Sequence, residues 1–426
     1  MIVCIKLEKM NNRYLSLIIA LVLSLNSFAT NIETDRQWYL AGEAMKVSIT
    51  TENAFMAYAE LCDMHSLVAG TLIKLNKGKG AISIELPSNL HSGYYVLSVY
   101  TRDNANVTNK LVGIVNPLRK NKDDDIKWMQ DDSCWVTSVG TSELINNKTI
   151  DVCETEGHII KAHLKNIYGG HTFKDSQITP SLSIIGKQVH YFEGKMINDT
   201  TAVFYTSGIH GKHPLVLSAL SSTGVSLPIE MINPFETLLP RKLPHLVFHY
   251  KRSEVEARSM DMQRHQIAIT PVKRELQLGD HADDTAEDVV PLGYDETIFG
   301  IKPDLSYNLD EYRQFLTIRE VLLEYVVYVS NRTINGVPKL IVRKEDAAYD
   351  TSSPTLVLID GMPVIDTERL LNYDARRIHH INIYSGQYTF GNGVYNGILS
   401  FVTRSGRLTN YPTEPNMQYL VYEFPE

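Results

Sequence analysis

Two histidine pairs and three polar turns hold the side chains with which this 426-residue chain could do chemistry. His210 and His213 stand in Ile209-His210-Gly211-Lys212-His213, and His245 and His249 in Pro244-His245-Leu246-Val247-Phe248-His249. A zinc site needs three or four donors converging at ~2.0–2.2 Å. A spacing of four aligns two imidazoles on a helix, but residues 246–248 read as extended, which puts the rings on one side of a strand about 13 Å apart. These histidines therefore read as surface or core residues rather than metal ligands, and the helical His-Glu-x-x-His pattern is absent. The acidic run at 280–288 lacks the ligand alternation and central Gly of a calcium loop and reads as solvated linker.

Asp360-Gly361 and Asn396-Gly397 each set a short polar side chain before a glycine. As ligand loops they would present a carboxylate and an amide; as tight turns Gly supplies φ > 0 while Asp or Asn bonds its own backbone, and turn chemistry alone explains them. For nucleophilic catalysis, the Gly-x-Ser-x-Gly elbow and the phosphate-cradling Gly loop are missing, and Ser207-Gly208 with His210 is too local for a triad drawn from separated elements. The expectation is a non-enzymatic protein with no catalytic residue, metal or cofactor.

The elements that must position these groups are mostly strands. Forty-one Lys and Arg against 49 Asp and Glu give a net charge of −8, without the basic footprint of a nucleic-acid binder. Residues 1–29 read as a secretory signal: Lys6, Lys9 and Arg13 form a positive region, 15–25 an apolar stretch, and Ser27-Phe28-Ala29 a cleavage site. The apolar stretch is about half the ~20 residues needed to span a bilayer, so cleavage is expected and no membrane span after it. Losing those three cations and Glu8 takes the net charge from −8 to −10. Cys62, Cys134 and Cys153 remain, too few for a disulfide scaffold. Cys134 and Cys153 flank a turn signal at 143–147 and are either a hairpin pair or buried thiols.

Alternating runs at 45–50, 55–61, 70–75, 80–86 and 94–100 predict short strands of an antiparallel sandwich over 30–116. A charged run at 119–127 reads as a loop. Runs at 135–139, 149–152, 158–162, 182–185, 201–205 and 214–217 predict a second sandwich over 117–250, and 251–296 reads as a polar linker. From 297 to 408 the pattern changes. Apolar positions at 315, 318, 322 and 325 predict a helix over 310–325 with Asp310 as N-cap, and strands follow at 339–343, 355–359, 378–384 and 398–403 with a short helix at 368–372. The fold class is mainly β with a C-terminal α+β domain. The tail, 409–426, alternates at 419–424 and is expected to add as an edge strand to a partner or to its own sheet.

The stretches Tyr39 to Glu43, Ala59-Glu60-Leu61, Glu85-Leu86-Pro87 and Ser92-Gly93-Tyr94-Tyr95 resemble the macroglobulin-like domain of bacterial surface proteins. The thioester run Cys-Gly-Glu-Gln of protease-trapping relatives is absent, so that activity is not implied. Residues 357–364, 378–383, 388–391, 396–398 and 403–406 resemble the plug domain of TonB-dependent outer-membrane transporters. The resemblance rests on Asp360, Gly361, Pro363, Tyr388, Gly391, Asn396, Gly397, Thr403 and Gly406, read as a structural or docking motif. Little sequence follows residue 408, so the plug-like unit is expected without a barrel in this chain. Together the two resemblances imply an exported Gram-negative envelope protein in the periplasm, associated with the outer membrane. Its implied partner is an outer-membrane barrel or envelope protein. A secreted or surface ligand-binding protein of the adhesin type is the alternative.

Overall fold

A computed structural model of the chain describes residues 30–52, 54–119, 123–151, 154, 157–165, 178–185, 189–222, 225–275, 300–334, 336–343, 353–404 and 416–425. The leader at 1–29, Cys153, the acidic run at 280–288 and Gly406 lie outside the described residues. Strands β1 (Asn31–Thr34), β2 (Trp38–Leu40), β3 (Ala44–Thr50), β4 (Met56–Cys62), β5 (Leu67–Lys74), β6 (Lys79–Glu85), β7 (Gly93–Tyr100) and β8 (Thr108–Val115) come first. After β9 (Ile126–Gln130) and β10 (Trp135–Val139) come β11 (His158–Leu164), β12 (Ile178–Ile184), β13 (His190–Glu193), β14 (Lys195–Asn198), β15 (Thr201–Thr206), β16 (Gly211–Ser221) and β17 (Ile229–Met231). β18 (His245–Tyr250) leads into helix α1 (Arg252–Glu275). The remainder holds β19 (Leu305–Asn308), α2 (Ile318–Glu324), β20 (Val329–Ile334), β21 (Val337–Val342), β22 (Leu356–Ile359), β23 (Met362–Pro363), α3 (Thr367–Leu371), β24 (Ile378–Phe390), β25 (Gly393–Thr403) and β26 (Gln418–Phe424). The chain divides into two units, one of residues up to 153 with 237–263, the other of 154–236 with 264–426.

In the first unit β1-β3-β6 faces β2-β8-β7-β4-β5. Met45, Val47 and Ile49 of β3 point inward while Lys46 and Ser48 point out, the period of two that made this strand legible. They meet Leu61, Leu97, Val112 and Ile114 from the opposite sheet in one core. β4 is buried along its whole length. On its other face Tyr58 stacks on Tyr100 with centroids 5.4 Å apart. A third sheet, β10-β18-β9, presses Leu246 and Phe248 onto Trp38, Leu40 and Val115.

Several sequence expectations are corrected here. The charged run at 119–127 already contains the start of β9, which runs parallel to β18. Residues 149–151 form no strand; the Lys148 and Asp151 N–H groups donate to the Ala105 and Arg102 carbonyls instead, at 2.8 Å each. Residues 252–275, read as linker, are helical. The helix docks because Val255, Ser259 and Met262 fall on one side at i, i+4 and i+7 and are buried. Arg258 adds a bond to Glu43 at 3.0 Å and lies 3.7 Å over the Trp38 ring. Cys134 is a free thiol whose sulfur accepts from the Lys251 N–H at 3.2 Å.

In the second unit β14-β15-β11-β17 packs on β13-β12-β16-β26, a sandwich in which the C-terminal strand is an edge. The tail thus joins a sheet of its own chain, pairing Gln418–Phe424 with Leu217–Gly211 antiparallel. A five-stranded sheet, β19-β24-β25-β22-β23, is antiparallel except where β22 lies parallel to β25. One of its faces is covered by α2, α3 and the β20-β21 hairpin through Ile318, Val321, Leu340, Leu370, Ile381 and Phe401. The helix expected over 310–325 is shorter. A 3-10 turn occupies Leu309–Glu311, and α2 starts only after Thr317, whose side chain accepts from the Glu320 N–H in a capping box. Asp310 is therefore not the cap; it pairs with Arg404.

Candidate functional site

The residues expected to form a plug-like motif lie around β22, β24 and β25. Asp360 and Gly361 have φ of 47° and 88°, the two positive values of a two-residue hairpin turn between β22 and β23. The Asp360 carboxylate does not face solvent. One oxygen accepts from the Thr403 N–H at 2.8 Å and the other from the Thr403 hydroxyl, while the Asp360 N–H donates to the Phe401 carbonyl at 2.9 Å. A buried carboxylate has to be bonded in this way, and the turn consequently fastens the end of β25. Gly361 is packed so closely that a Cβ would stand 2.8 Å from both γ-carbons of Val189 in the sandwich. Pro363 pairs with Leu358 in the short hairpin.

Asn396 and Gly397 lie partway along β25. The Asn396 N–H donates to the Pro354 carbonyl at 2.9 Å, its carbonyl accepts from the Thr355 hydroxyl at 2.9 Å, and its side-chain oxygen accepts from Gln387 at 3.2 Å. Gly397, at φ 87°, leaves room for Val342, whose Cβ would be 2.6 Å from an added Cβ.

Tyr388 and Gly391 occupy the far end of the β24-β25 hairpin. Gly391 has φ 60° and meets Glu193 backbone to backbone, so any side chain would collide with the Glu193 carbonyl. Around it Tyr191, Tyr388, Phe390 and Tyr395 form an aromatic cluster with Leu356, Leu358, Tyr384 and Ile398. At its centre Tyr395 donates to the Glu193 carboxylate, and the Tyr191 and Tyr395 hydroxyls are 2.9 Å apart. Burial pushes the Glu193 carboxyl above its ordinary value, an effect that the Tyr395 bond partly offsets. The Tyr191 hydroxyl is pushed up to about 12 by burial. Glu193, Tyr191 and Tyr395 were not singled out from sequence, because the first two lie some two hundred residues from the hairpin they clasp.

These motif residues do not converge. Gly393 and Thr403 end one extended strand, so the Gly391 turn and the Asp360 turn are roughly 30 Å apart at ~3.3 Å per residue. Each polar atom named is spent on the chain itself, which makes the motif a set of clasps rather than a reaction centre.

A second buried polar cluster joins β11 to β26. His158 Nδ1 is 2.9 Å from Glu154 and Nε2 is 2.6 Å from the Tyr422 hydroxyl, while Glu154 also accepts from the Ile159 N–H at 2.8 Å. Neither Glu154 nor Tyr422 is singled out by the sequence pattern, which marks His158 only as the start of a strand. The histidine pairs do not share a common ligand position. His210 contacts the Pro425 carbonyl at 2.9 Å and His213 the His210 carbonyl at 2.8 Å. His245 and His249 share one face of β18, each beside its own aspartate, Asp125 and Asp131. Among the described residues no three His, Cys, Asp or Glu side chains converge on a metal position. A surface depression beside α2 is lined by Tyr312, Phe315 and Tyr325 together with Arg313, Arg376 and Arg404.

No family model and no curated protein matches the chain. Among solved structures, a Salmonella alpha-2-macroglobulin point mutant aligns at 8% identity over 52% of this chain and 15% of its own, with a TM-score of 0.19. The native conformation of Escherichia coli alpha-2-macroglobulin aligns at 10% identity over 50% of this chain and 15% of its own, TM-score 0.19. The BSP domain of a biofilm-associated protein aligns at 10% identity over 52% and 30%, TM-score 0.18. The chain thus spans less than a third of each of these structures, and superposition at this level carries no functional argument. The class that the fold itself defines is a mainly β protein of several antiparallel sheets, built on two β-sandwiches.

Proposed function

We propose that this chain is a non-enzymatic exported envelope protein whose plug-like unit, within 297–408, docks an outer-membrane barrel or envelope partner from the periplasmic side. The supporting observation is where that unit keeps its free surface. Its motif turns are spent on the second sandwich and on β25, whereas the face around α2 carries Leu316, Leu323 and Val327 at 65, 81 and 54% exposure. The same unit carries the aromatic and arginine depression beside α2. Large apolar side chains left this exposed are candidates for contact with a partner. In this reading, association with the outer membrane runs through that partner; among the described residues no helix is long and apolar enough to cross a membrane.

The test is mild crosslinking of the native envelope followed by mass spectrometry of what co-purifies with the tagged chain. Stoichiometric recovery of one outer-membrane barrel or its associated lipoprotein, lost on Leu323→Glu, is the expected result. Recovery of the chain by itself from the aqueous fraction would sink the reading. A secreted or surface ligand-binding protein is the second reading, favoured by Trp135, which is 41% exposed on a strand of the first unit.

A further inference from the structure

We infer that β10 is a self-pairing edge through which two copies of this chain associate. The strand Trp135-Val136-Thr137-Ser138-Val139 pairs on one side with β18 and, among the described residues, with no strand on the other. Natural edge strands are usually protected by charge, proline or a bulge. This one has none of these: its five residues are uncharged, its ladder to β18 is unbroken, and three are aromatic or valine. An open row of N–H and C=O groups is satisfied best by another extended backbone.

The occupant follows from the strand's own pattern. Trp135, Thr137 and Val139 share the exposed face, with Trp135 and Val139 at 41 and 57% exposure. In antiparallel self-pairing about Thr137, all five residues find a partner: each Trp135 meets Val139 of the other copy and Thr137 meets itself. Aromatic against β-branched residues and Thr against Thr are favourable cross-strand pairs. The indole is already set for this role. It stacks on His249 at 3.6 Å and its N–H donates to Asp131 at 3.0 Å, which fixes the ring and leaves its outer surface toward the open edge.

Charge points the same way. The exposed Asp131 and Asp132 precede the strand, whereas its far end is joined by the Glu143 N–H to the Lys242 carbonyl, at 3.0 Å, next to the exposed Arg241. Antiparallel pairing brings the two aspartates of one copy toward Arg241 and Lys242 of the other at both ends, with Glu143 outnumbered. Each copy contributes one such edge, so the symmetric pair closes at two. The contact is small, and association is correspondingly weak.

Sedimentation velocity of the purified chain, from low micromolar concentration to its solubility limit, is the test. We expect a concentration-dependent shift from one copy to two. Thr137→Lys, at an exposed position, places like charges across the axis and raises the dissociation constant about tenfold or more while the melting temperature is kept. Asp132→Lys and Lys242→Asp each weaken the pair alone, and mixing them restores it, because the mixed pair is complementary at both ends. A chain that stays single throughout overturns the inference. So does a dimer indifferent to Thr137→Lys, which would use another surface. Neither result bears on the plug-like unit, whose docking is read out separately by Leu323→Glu.

Discussion

Glu60 shows at the residue scale how a group that looks reactive is tied down. It sits in mid-strand β4 with no exposed surface, accepts from the Tyr100 hydroxyl, and receives the Thr237 and Leu238 N–H groups at 3.2 and 2.9 Å. Glu60→Ala leaves three donors without this acceptor, and the expected loss is roughly 2–4 kcal/mol in urea unfolding of the full chain. Glu60→Gln, which keeps an acceptor oxygen, should recover part of it. Glu193 differs in sign. Burial raises its pKa in the folded state, so its contribution is fully present below its ordinary value of 4.5 and is lost as pH rises through the raised value. Glu193→Gln carries no charge at any pH. The melting temperature of wild type relative to this variant should therefore fall as pH rises above about 4.5, and a constant difference would show that burial does not raise the Glu193 pKa.

At the scale of elements, what was legible was local. The alternation in β3, the Asp360-Gly361 turn and the strand at 398–403 announce themselves within a few residues, because period and turn chemistry are properties of neighbours. The misses have physical reasons. Thr317 and Glu320 spell a capping box inside the apparently continuous helical run 310–325, and the box, not the period, sets where α2 begins. Helix α1 was hidden by its polar composition; it is held by one narrow stripe and by Arg258 on Trp38, a contact from residues 220 positions away. The clasps Glu193-Tyr395 and His158-Tyr422 join residues 202 and 264 positions apart, and no local pattern encodes them. The second of these carries a prediction for β26. Tyr422→Phe removes the partner of His158 Nε2 and should cost about 1–2 kcal/mol, read as faster amide exchange in β16, the strand that β26 covers. Unchanged protection of β16 would mean that the ladder alone holds the tail.

For the whole molecule, the decisive feature is that neither unit is a continuous stretch of chain. The first is made of residues up to 153 and returns for 237–263; the second takes the segment between and everything after. The sequence suggests a boundary at 116 because the strand pattern gives way to the charged run at 119–127, and the surface of that sandwich is finished by later residues. Trp38, Leu40 and Val115 are buried by Leu246 and Phe248 of β18 and Val255 of α1. A fragment of residues 30–151 would expose these side chains. Losing the burial of several large apolar groups, at about 25 cal/mol per Å2, removes an amount comparable with a domain's entire net stability. The fragment should therefore melt without cooperativity and show poorly dispersed amide resonances. Adding a synthetic peptide of residues 237–263 in trans should restore dispersion, with tryptophan near-ultraviolet dichroism as an independent readout, and Phe248→Ala in that peptide should abolish the rescue. A 30–151 fragment that melts cooperatively unaided would show that the returning segment decorates the unit instead of completing it.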